Sequence, residues 1–323
     1  MQTILKNILR PFVPEFVKAL RRRQSAPVAP SFSSWEHQPP LPVPPGHTPD
    51  GILQALVSIS IDGSRKGELS AYATADLERF LRTLDLVPKG ARKALEIGAN
   101  PYFNTLLMRQ FRPGIDLTLT NYFNGDVSVQ RQEINFSGFN GAEETFNVDF
   151  HNMNIECHPF PFEDASFDTV VFCEVLEHMT NDPMAALREI HRVLVPGGTL
   201  VLTTPNAARL ENVVAFLEGR NIYDPYSAYG PYGRHNREYT RHELHLLLQH
   251  AGFKEEGSYT ANVHPDIPSA HISQEDLAIL GKVKNRQYDL GQYLFTRWRK
   301  DRECEERLPG WLYRSYPEDR IAM

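Results

Sequence analysis

The sequence predicts an α/β fold: a doubly wound, mostly parallel sheet with helices on both faces. Three observations predict it. Ala94 to Ile97 form a short apolar strand, Gly98-Ala99-Asn100 turn the chain, and Phe103, Leu106, Leu107 and Phe111 then fall on one helical face. Strand-like runs follow at 114–121, 145–149, 167–173 and 199–204, and their alternation with helical patterns builds a right-handed parallel sheet. Glu96, Asn121, Asp149 and Glu174 stand at the carboxyl ends of these runs, the rim at which such sheets bind ligands.

With 323 residues, 41% of them hydrophobic, the chain is long enough to bury a sizeable core. Its net charge of −6 supplies no global basic field, which disfavours a nucleic-acid partner. Cys157, Cys173 and Cys304 are odd in number and far apart, which argues for a reducing compartment and against a disulfide framework or a cysteine zinc site. The sequence shows neither an apolar run of membrane-spanning length nor a signal-peptide core. A soluble, cytoplasmic protein is the expectation.

In chain order, residues 1–24 pair apolar positions such as Ile4, Leu5, Ile8, Leu9 and Phe12 at helical spacing, with Lys6, Arg10, Lys18 and Arg21-Arg22-Arg23 supplying charge. A basic amphipathic arm of this kind can lie on an anionic membrane surface, here the inner face, or pack on the body or a partner subunit. Residues 25–50 are proline-rich and read as an extended linker with Trp35 as its anchor. The main domain is expected over 51–298. Its stretch 51–62 is apolar without a clear period. A helix from Thr74 to Leu84 carries Leu77, Phe80, Leu81 and Leu84 on one stripe, with Tyr72 and Arg79 placed to lid a ligand.

In the organising turn, Asn100 suits a helix N-cap and Pro101 a first helical position. An acid at the strand end and no cation in the turn suit ribose hydroxyls rather than phosphates. Residues 122–144, rich in Asn and Gly, read as a long polar connection of the kind that forms lids. Met184, Leu187, Ile190 and Leu194 make a helix that Pro196-Gly197-Gly198 stop, and Thr240 with Glu243 form a capping box. An acceptor-side insertion is expected at about 207–238, its tyrosines available to wall a pocket. The tail 299–323 reads as a strap on the body or on a dimer mate.

With these residues placed, the chain resembles a class I S-adenosylmethionine-dependent methyltransferase of the type-11 or type-12 kind found in bacterial glycan pathways. "ALEIGAN", "FPFEDASFD", "EVLEHM" and "RVLVPGG" carry the resemblance, which spans residues 70–298. It implies a seven-stranded, Rossmann-like sheet closed by an antiparallel strand over "QYLFTRWR". It also implies that Gly98, Ala99 and Asn100 let backbone approach the methionine part of the cofactor, with Glu96 supporting the turn. Asn121 would take the ribose, Asp149 with the amide of Phe150 the adenine edge, and Cys173 the cofactor wall.

Glu174, Glu177 and His178 have E-x-x-E-H spacing, and "HNREYT" places His235, Glu238, Tyr239 and Thr240 in a pattern that resembles the metal site of small-RNA 2′-O-methyltransferases. Ubiquinone-biosynthesis O-methyltransferases have a related cluster. The resemblance implies that Glu174, Glu177, His178 and His235 hold magnesium, manganese or zinc, and that His178, His235 and Glu177 serve catalysis as base and positioning groups. The alternative is that Glu and His of this segment only hydrogen-bond their own loop. The expected reaction is O-methylation of a hydroxyl on a small molecule, saccharide or lipid-linked intermediate. A quinone or phenol is the near alternative, and RNA a further one. From another class, a cofactor-binding pseudoenzyme or membrane-tethered scaffold would share these motifs.

Overall fold

The computed structural model describes residues 38–64, 67–264 and 289–322. The arm 1–24 and the Trp35 anchor lie outside the described residues.

Seven strands run in the order expected of the doubly wound class. The central pair is β2 (Lys93–Ile97) beside β3 (Asp116–Asn121), with β5 (Glu143–Asn152) beyond β3. On the other side come β6 (Phe167–Cys173), β7 (Leu194–Pro205), β9 (Tyr293–Lys300) and β8 (Phe253–Ala261). β2 pairs in parallel with β3 and β6, as do β3 with β5 and β6 with β7; β9 is antiparallel to both β7 and β8. The expected closing antiparallel strand is therefore present.

Alternate side chains of the strands sort to opposite faces, as the two-residue pleat requires. Val171 and Val201 pack with α1 (Pro49–Val57), α2 (Glu68–Leu86) and α3 (Phe103–Phe111) through Leu56, Phe80, Leu81 and Leu107. Val170, Phe172, Leu200 and Leu202 face the other way, onto α4 (Pro183–Val193) and α6 (Arg241–His250) through Leu187, Ile190 and Leu247. Both faces are covered, so the strands read as nearly unbroken apolar runs. The insertion carries one more helix, α5 (Leu210–Leu217). None of the helices among the described residues is long and apolar enough to cross a membrane.

Four expectations need correction. Residues 122–144 are not a lid: β4 (Ser128–Ser137) pairs antiparallel with β5 over ten residues, and β1 (Ser60–Ile61) adds at its outer edge, making this a nine-stranded sheet among the described residues. Two-residue alternation in its inner half explains the hairpin, because Gln132, Ile134 and Phe136 point inward while Arg131 and Glu133 stay in water. Gly141, at φ +82°, closes its turn. The apolar stretch 51–62 is α1 and β1, with Thr48 accepting the Gly51 N–H as N-cap. The linker's last residues pack on the body: Leu41 and Val43 join the core, and the Arg82 guanidinium donates to Pro39 O. Pro196-Gly197-Gly198 do not end the preceding helix, which stops at Val193; they lie within β7.

The tail returns to the body. β10 (Leu308–Pro309) pairs with β11 (Ile321–Ala322), and Tyr313 donates to Asp182 Oδ1 while its oxygen accepts the Met184 N–H.

If residues 128–137 form a strand, amide hydrogen exchange should show every second amide protected between Val129 and Phe136, at a level shared with β5. Uniformly fast exchange there would leave the segment a loop.

Candidate active site

β2 ends in a buried acid and a tight turn. Gly98 adopts φ +73°, and a Cβ there would stand 2.6 Å from Val175 Cγ2, so no larger residue fits without moving the opposite wall. Asn100 is not the helix N-cap: its peptide bond to Pro101 is cis, Tyr102 follows at φ 71°, and α3 starts at Phe103. Asn121 at the end of β3 explains this arrangement. Its Oδ1 accepts the Asn100 N–H at 2.7 Å, and its Nδ2 donates to Tyr102 Oη at 3.1 Å. The Tyr102 hydroxyl spends its own proton on Gln132 Oε1, so only a donor such as the Asn121 amide can bond its oxygen from this side.

The turn forms one wall of a cleft at the carboxyl edge of the sheet. A cleft of about 180 Å³ lies among Gly98, Asn121, Asn154, Glu174, His178 and Tyr232, smaller than the roughly 300–1,000 Å³ of drug-sized ligand sites.

Beyond β6 the chain takes a left-handed step at Glu174 (φ 55°) and then a single 3-10 turn, Leu176–His178. This turn drives Glu177 into the protein, where it is 0% exposed. Its Oε2 accepts the Thr204 hydroxyl at 2.8 Å, whereas Oε1 is buried without a partner. Burial, and secondarily the charge of Glu174, push its pKa up to about 8. His178 Nε2 lies 3.9 Å from that orphaned oxygen. The Nδ1 of His178 is bonded to Arg234 O at 3.0 Å, and the Nδ1 of His235 to Glu238 Oε1 at 3.0 Å. A carbonyl and a carboxylate can only accept, so both imidazoles carry a proton on Nδ1, and each leaves the Nε2 lone pair free when the ring is neutral. The two rings stand edge to face, 5.0 Å between centroids. Glu177, His178 and His235 bring ligand-type atoms within 4.8 Å of one another.

Glu174 stands apart from this group. It accepts the Thr203 hydroxyl at 2.8 Å. Burial raises its pKa, while Arg79 opposes the shift. Arg79 is itself buried against Asp76 and Tyr72, so Arg79 and Tyr72 brace Glu174 from behind instead of covering the cleft.

Of the residues expected to bind a cofactor, Gly98 and Asn121 line the cleft, joined by Glu174 and His178 of the expected metal set. Ala99 and Asn100 belong to the same turn but do not line it, and Glu96 sits beneath it, fully buried and bonded to the Thr105 hydroxyl of α3. Asp149 and Phe150 are elsewhere. β5 runs three residues past Asp149, whose carboxylate is held by Arg131 of the hairpin at 2.6 and 2.7 Å in the open. Phe150 is core, packed on Phe123. Cys173 is likewise core, its thiol pushed up to about 12 by burial.

The cleft is completed by Met153, Asn154 and Glu156, which sequence reasoning passed over. Glu156 accepts the N–H groups of Thr180, Asn181 and Asp182. These bonds hold its pKa low against burial and fix the loop that follows His178. Glu238 is held by Arg209 and Asn212 of the insertion, and so fixes the tautomer and plane of His235. Alternation in "FNVDFHN" was the available signal: Val148 and Phe150 point inward, which puts Asp149 on the outer face.

Residues 95–202 match the profile of a methyltransferase domain. The match runs from β2 through β7 and contains the turn, Glu177 and His178; His235 lies beyond it. A probable S-adenosylmethionine-dependent methyltransferase of Mycolicibacterium smegmatis is 37% identical over 109 residues, 34% of this chain and 36% of that protein. The ubiquinone/menaquinone biosynthesis C-methyltransferase UbiE of Pseudoalteromonas translucida is 37% identical over 78 residues, 24% of this chain and 30% of that protein. The chain thus spans about a third of the length of the curated relatives it matches. A solved S-adenosylmethionine-dependent methyltransferase of Archaeoglobus fulgidus is 17% identical, covering 69% of this chain and 91% of that one, with a TM-score of 0.45.

Burial pushes the Glu96 pKa from 4.5 to about 8. A group raised in the folded state stabilises fully below its unfolded pKa and loses that contribution as pH rises through the folded one. Glu96→Gln should therefore gain thermal stability relative to the parent protein between pH 4.5 and 8, read from melting curves across that range. A pH-independent difference would place the titration elsewhere.

Proposed function

We propose that the chain is an S-adenosylmethionine-dependent methyltransferase acting on oxygen, with a hydroxyl of a saccharide or lipid-linked intermediate as acceptor. The observation that carries this reading is the convergence of Glu177 and His235 on His178, which lines the cleft, with Glu177 Oε1 buried and unpartnered.

The cleft's chemistry supports the cofactor. The bare backbone of Gly98 permits the close approach; Ile97, Met153 and Ile155 offer an apolar bed, and Asn154, bonded to Tyr232 and to the Glu156 N–H, keeps its second N–H and second lone pair for a heteroaromatic edge. Bound there, the cofactor supplies a methyl group already activated by its sulfonium. What the protein must add is alignment and a destination for the acceptor's proton. Burial lowers the His178 pKa, so its Nε2 is available as a base near neutrality while Nδ1 stays fixed on Arg234 O. His235 is pulled down by burial, but its Glu238 bond and the charge of Glu177 raise it overall. Where no ion occupies the imidazoles, the acceptor oxygen's proton passes to a free Nε2 as the methyl leaves sulfur for oxygen.

The donor set also fits a divalent cation. Two imidazole lone pairs and one desolvated carboxylate oxygen are what zinc or manganese accept more readily than magnesium. Glu177, His178 and His235 would hold the ion, which would supply a lowered pKa to a coordinated hydroxyl. This machinery favours an aliphatic hydroxyl over a phenol, which ionises without such help. The net charge of −6 weighs against RNA. Residues 1–24 would bring the protein to the inner membrane face, where lipid-linked acceptors reside.

Manganese and zinc titrations followed by calorimetry should show a single site, weakened at least about tenfold by Glu177→Gln or His235→Ala. Binding of S-adenosylhomocysteine should survive both changes; equal metal affinity in all three proteins would remove the metal from the reading. Asn154→Ala should weaken S-adenosylhomocysteine about tenfold while Asp149→Ala leaves it unchanged. The reverse order would move the adenine edge back to Asp149.

A further inference from the structure

The insertion carries a feature that the cleft does not use. Tyr223, Tyr226, Tyr229 and Tyr232 recur every third residue in the consecutive triplets YDP, YSA, YGP and YGR. The first three are exposed to 78%, 91% and 71%. The fourth turns inward: Tyr232 lines the cleft, accepts the Asn154 amide at 2.8 Å and packs edge to face on Tyr122. The loop doubles back between them, because a Cβ on Gly233 would stand 2.7 Å from Tyr229 Cβ and 2.5 Å from Ser227 Oγ. Its outer part is tied to the reacting group, since the His235 N–H donates to Asp224 Oδ2 at 3.1 Å. Three exposed tyrosines thus precede, within one loop, a fourth that lines the cleft.

Charge narrows what the row can take. Residues 207–238 hold four arginines and four acids. Arg209 is paired with Glu238, Arg220 with Glu218 and Arg237 with Glu243, and Arg234 lies over the Tyr226 ring at 4.5 Å. An anionic bilayer or a polyphosphate needs cations that are not already engaged. Neutral sugar rings ask for something else: flat apolar faces for their C–H sides and hydroxyls for their edges. Tyrosine supplies both with little entropy to lose. Asp224 and Ser227 fall between the tyrosines in the chain, each accepting one loop N–H and keeping further acceptor capacity.

We propose that Tyr223, Tyr226 and Tyr229 form remote subsites for a neutral oligosaccharide, which seats successive sugar rings on the loop and delivers one hydroxyl to the cleft past Tyr232. The proposal rests on the methyl-transfer reading above and deepens it, from a hydroxyl to a chain of sugars.

The test uses the full chain, a panel of defined neutral and acidic oligosaccharides with their monosaccharides, and vesicles of phosphatidylethanolamine and phosphatidylglycerol. The parent protein should bind at least one neutral oligosaccharide about tenfold more tightly than its monosaccharide. Replacing Tyr223, Tyr226 and Tyr229 together by Ala should abolish that gain, and replacing them by Phe should retain most of it. All three rings are solvent-exposed, so thermal stability and S-adenosylhomocysteine affinity should stay unchanged in both variants. Equal binding of monosaccharide and chain, or chain binding indifferent to the Ala variant, would overturn the proposal. So would Tyr-dependent attachment to the vesicles, or Tyr-dependent dimerisation, with no saccharide bound. If S-adenosylhomocysteine failed to bind the parent protein, the underlying methyl-transfer reading would fall as well; if it bound and no sugar did, only the subsites would fall.

Discussion

A carboxyl group with no exposed surface dominates the rim of this molecule. Glu177 has one oxygen on Thr204 and the other on nothing, and an unpaired ionised carboxylate in that position costs several kcal/mol, of order the effective penalty for a buried ion. The surrounding structure answers that penalty. The carboxyl is held toward its neutral form, two imidazoles face it, and its backbone carbonyl accepts the N–H groups of both Asn236 and Arg237. The insertion is therefore docked on the very residue whose burial needs compensation. Such an arrangement is poor as a structural element alone and well suited to a site that gains a cation or a proton.

The sheet places these groups without effort of its own. Thr203 and Thr204 are consecutive in β7, so they point to opposite faces, and they bind Glu174 and Glu177 respectively. That division separates the two acids that E-x-x-E-H spacing brings together on paper. Glu174 turns toward Arg79 and α2, Glu177 toward the imidazoles.

The parallel core was legible because buried strands leave continuous apolar runs, as in "FDTVVFC", and because turn and cap residues mark their ends. Thr240 and Glu243 form the capping box their spacing announces, each reaching the other's backbone N–H. The hairpin was not legible as a run. Its strands are half wet, and alternation in "SVQRQEINFS" is diluted by polar residues at both faces of its outer half. The misplacement of Asp149 follows from that single difficulty, since a strand ended too early hands the rim position to the wrong side chain. In the site, Glu177, His178 and His235 could be named because their spacing resembles a known cluster. Arg209, Asn212 and Glu156 could not, because Arg, Asn and Glu are ordinary surface residues until a fold turns them toward a partner.

The bonds joining the insertion to the turn after β6 have a kinetic meaning. Arg234 O holds His178, Asn236 Nδ2 donates to His178 O, and Asn236 and Arg237 donate to Glu177 O. Swinging residues 231–237 outward would break all of these at once and carry His235 away from its companion. Loading and unloading of bulky molecules must either use a route that leaves this clasp shut or disarm the chemistry for as long as the gate stands open. In the second case the protein cannot react with anything it has not already enclosed.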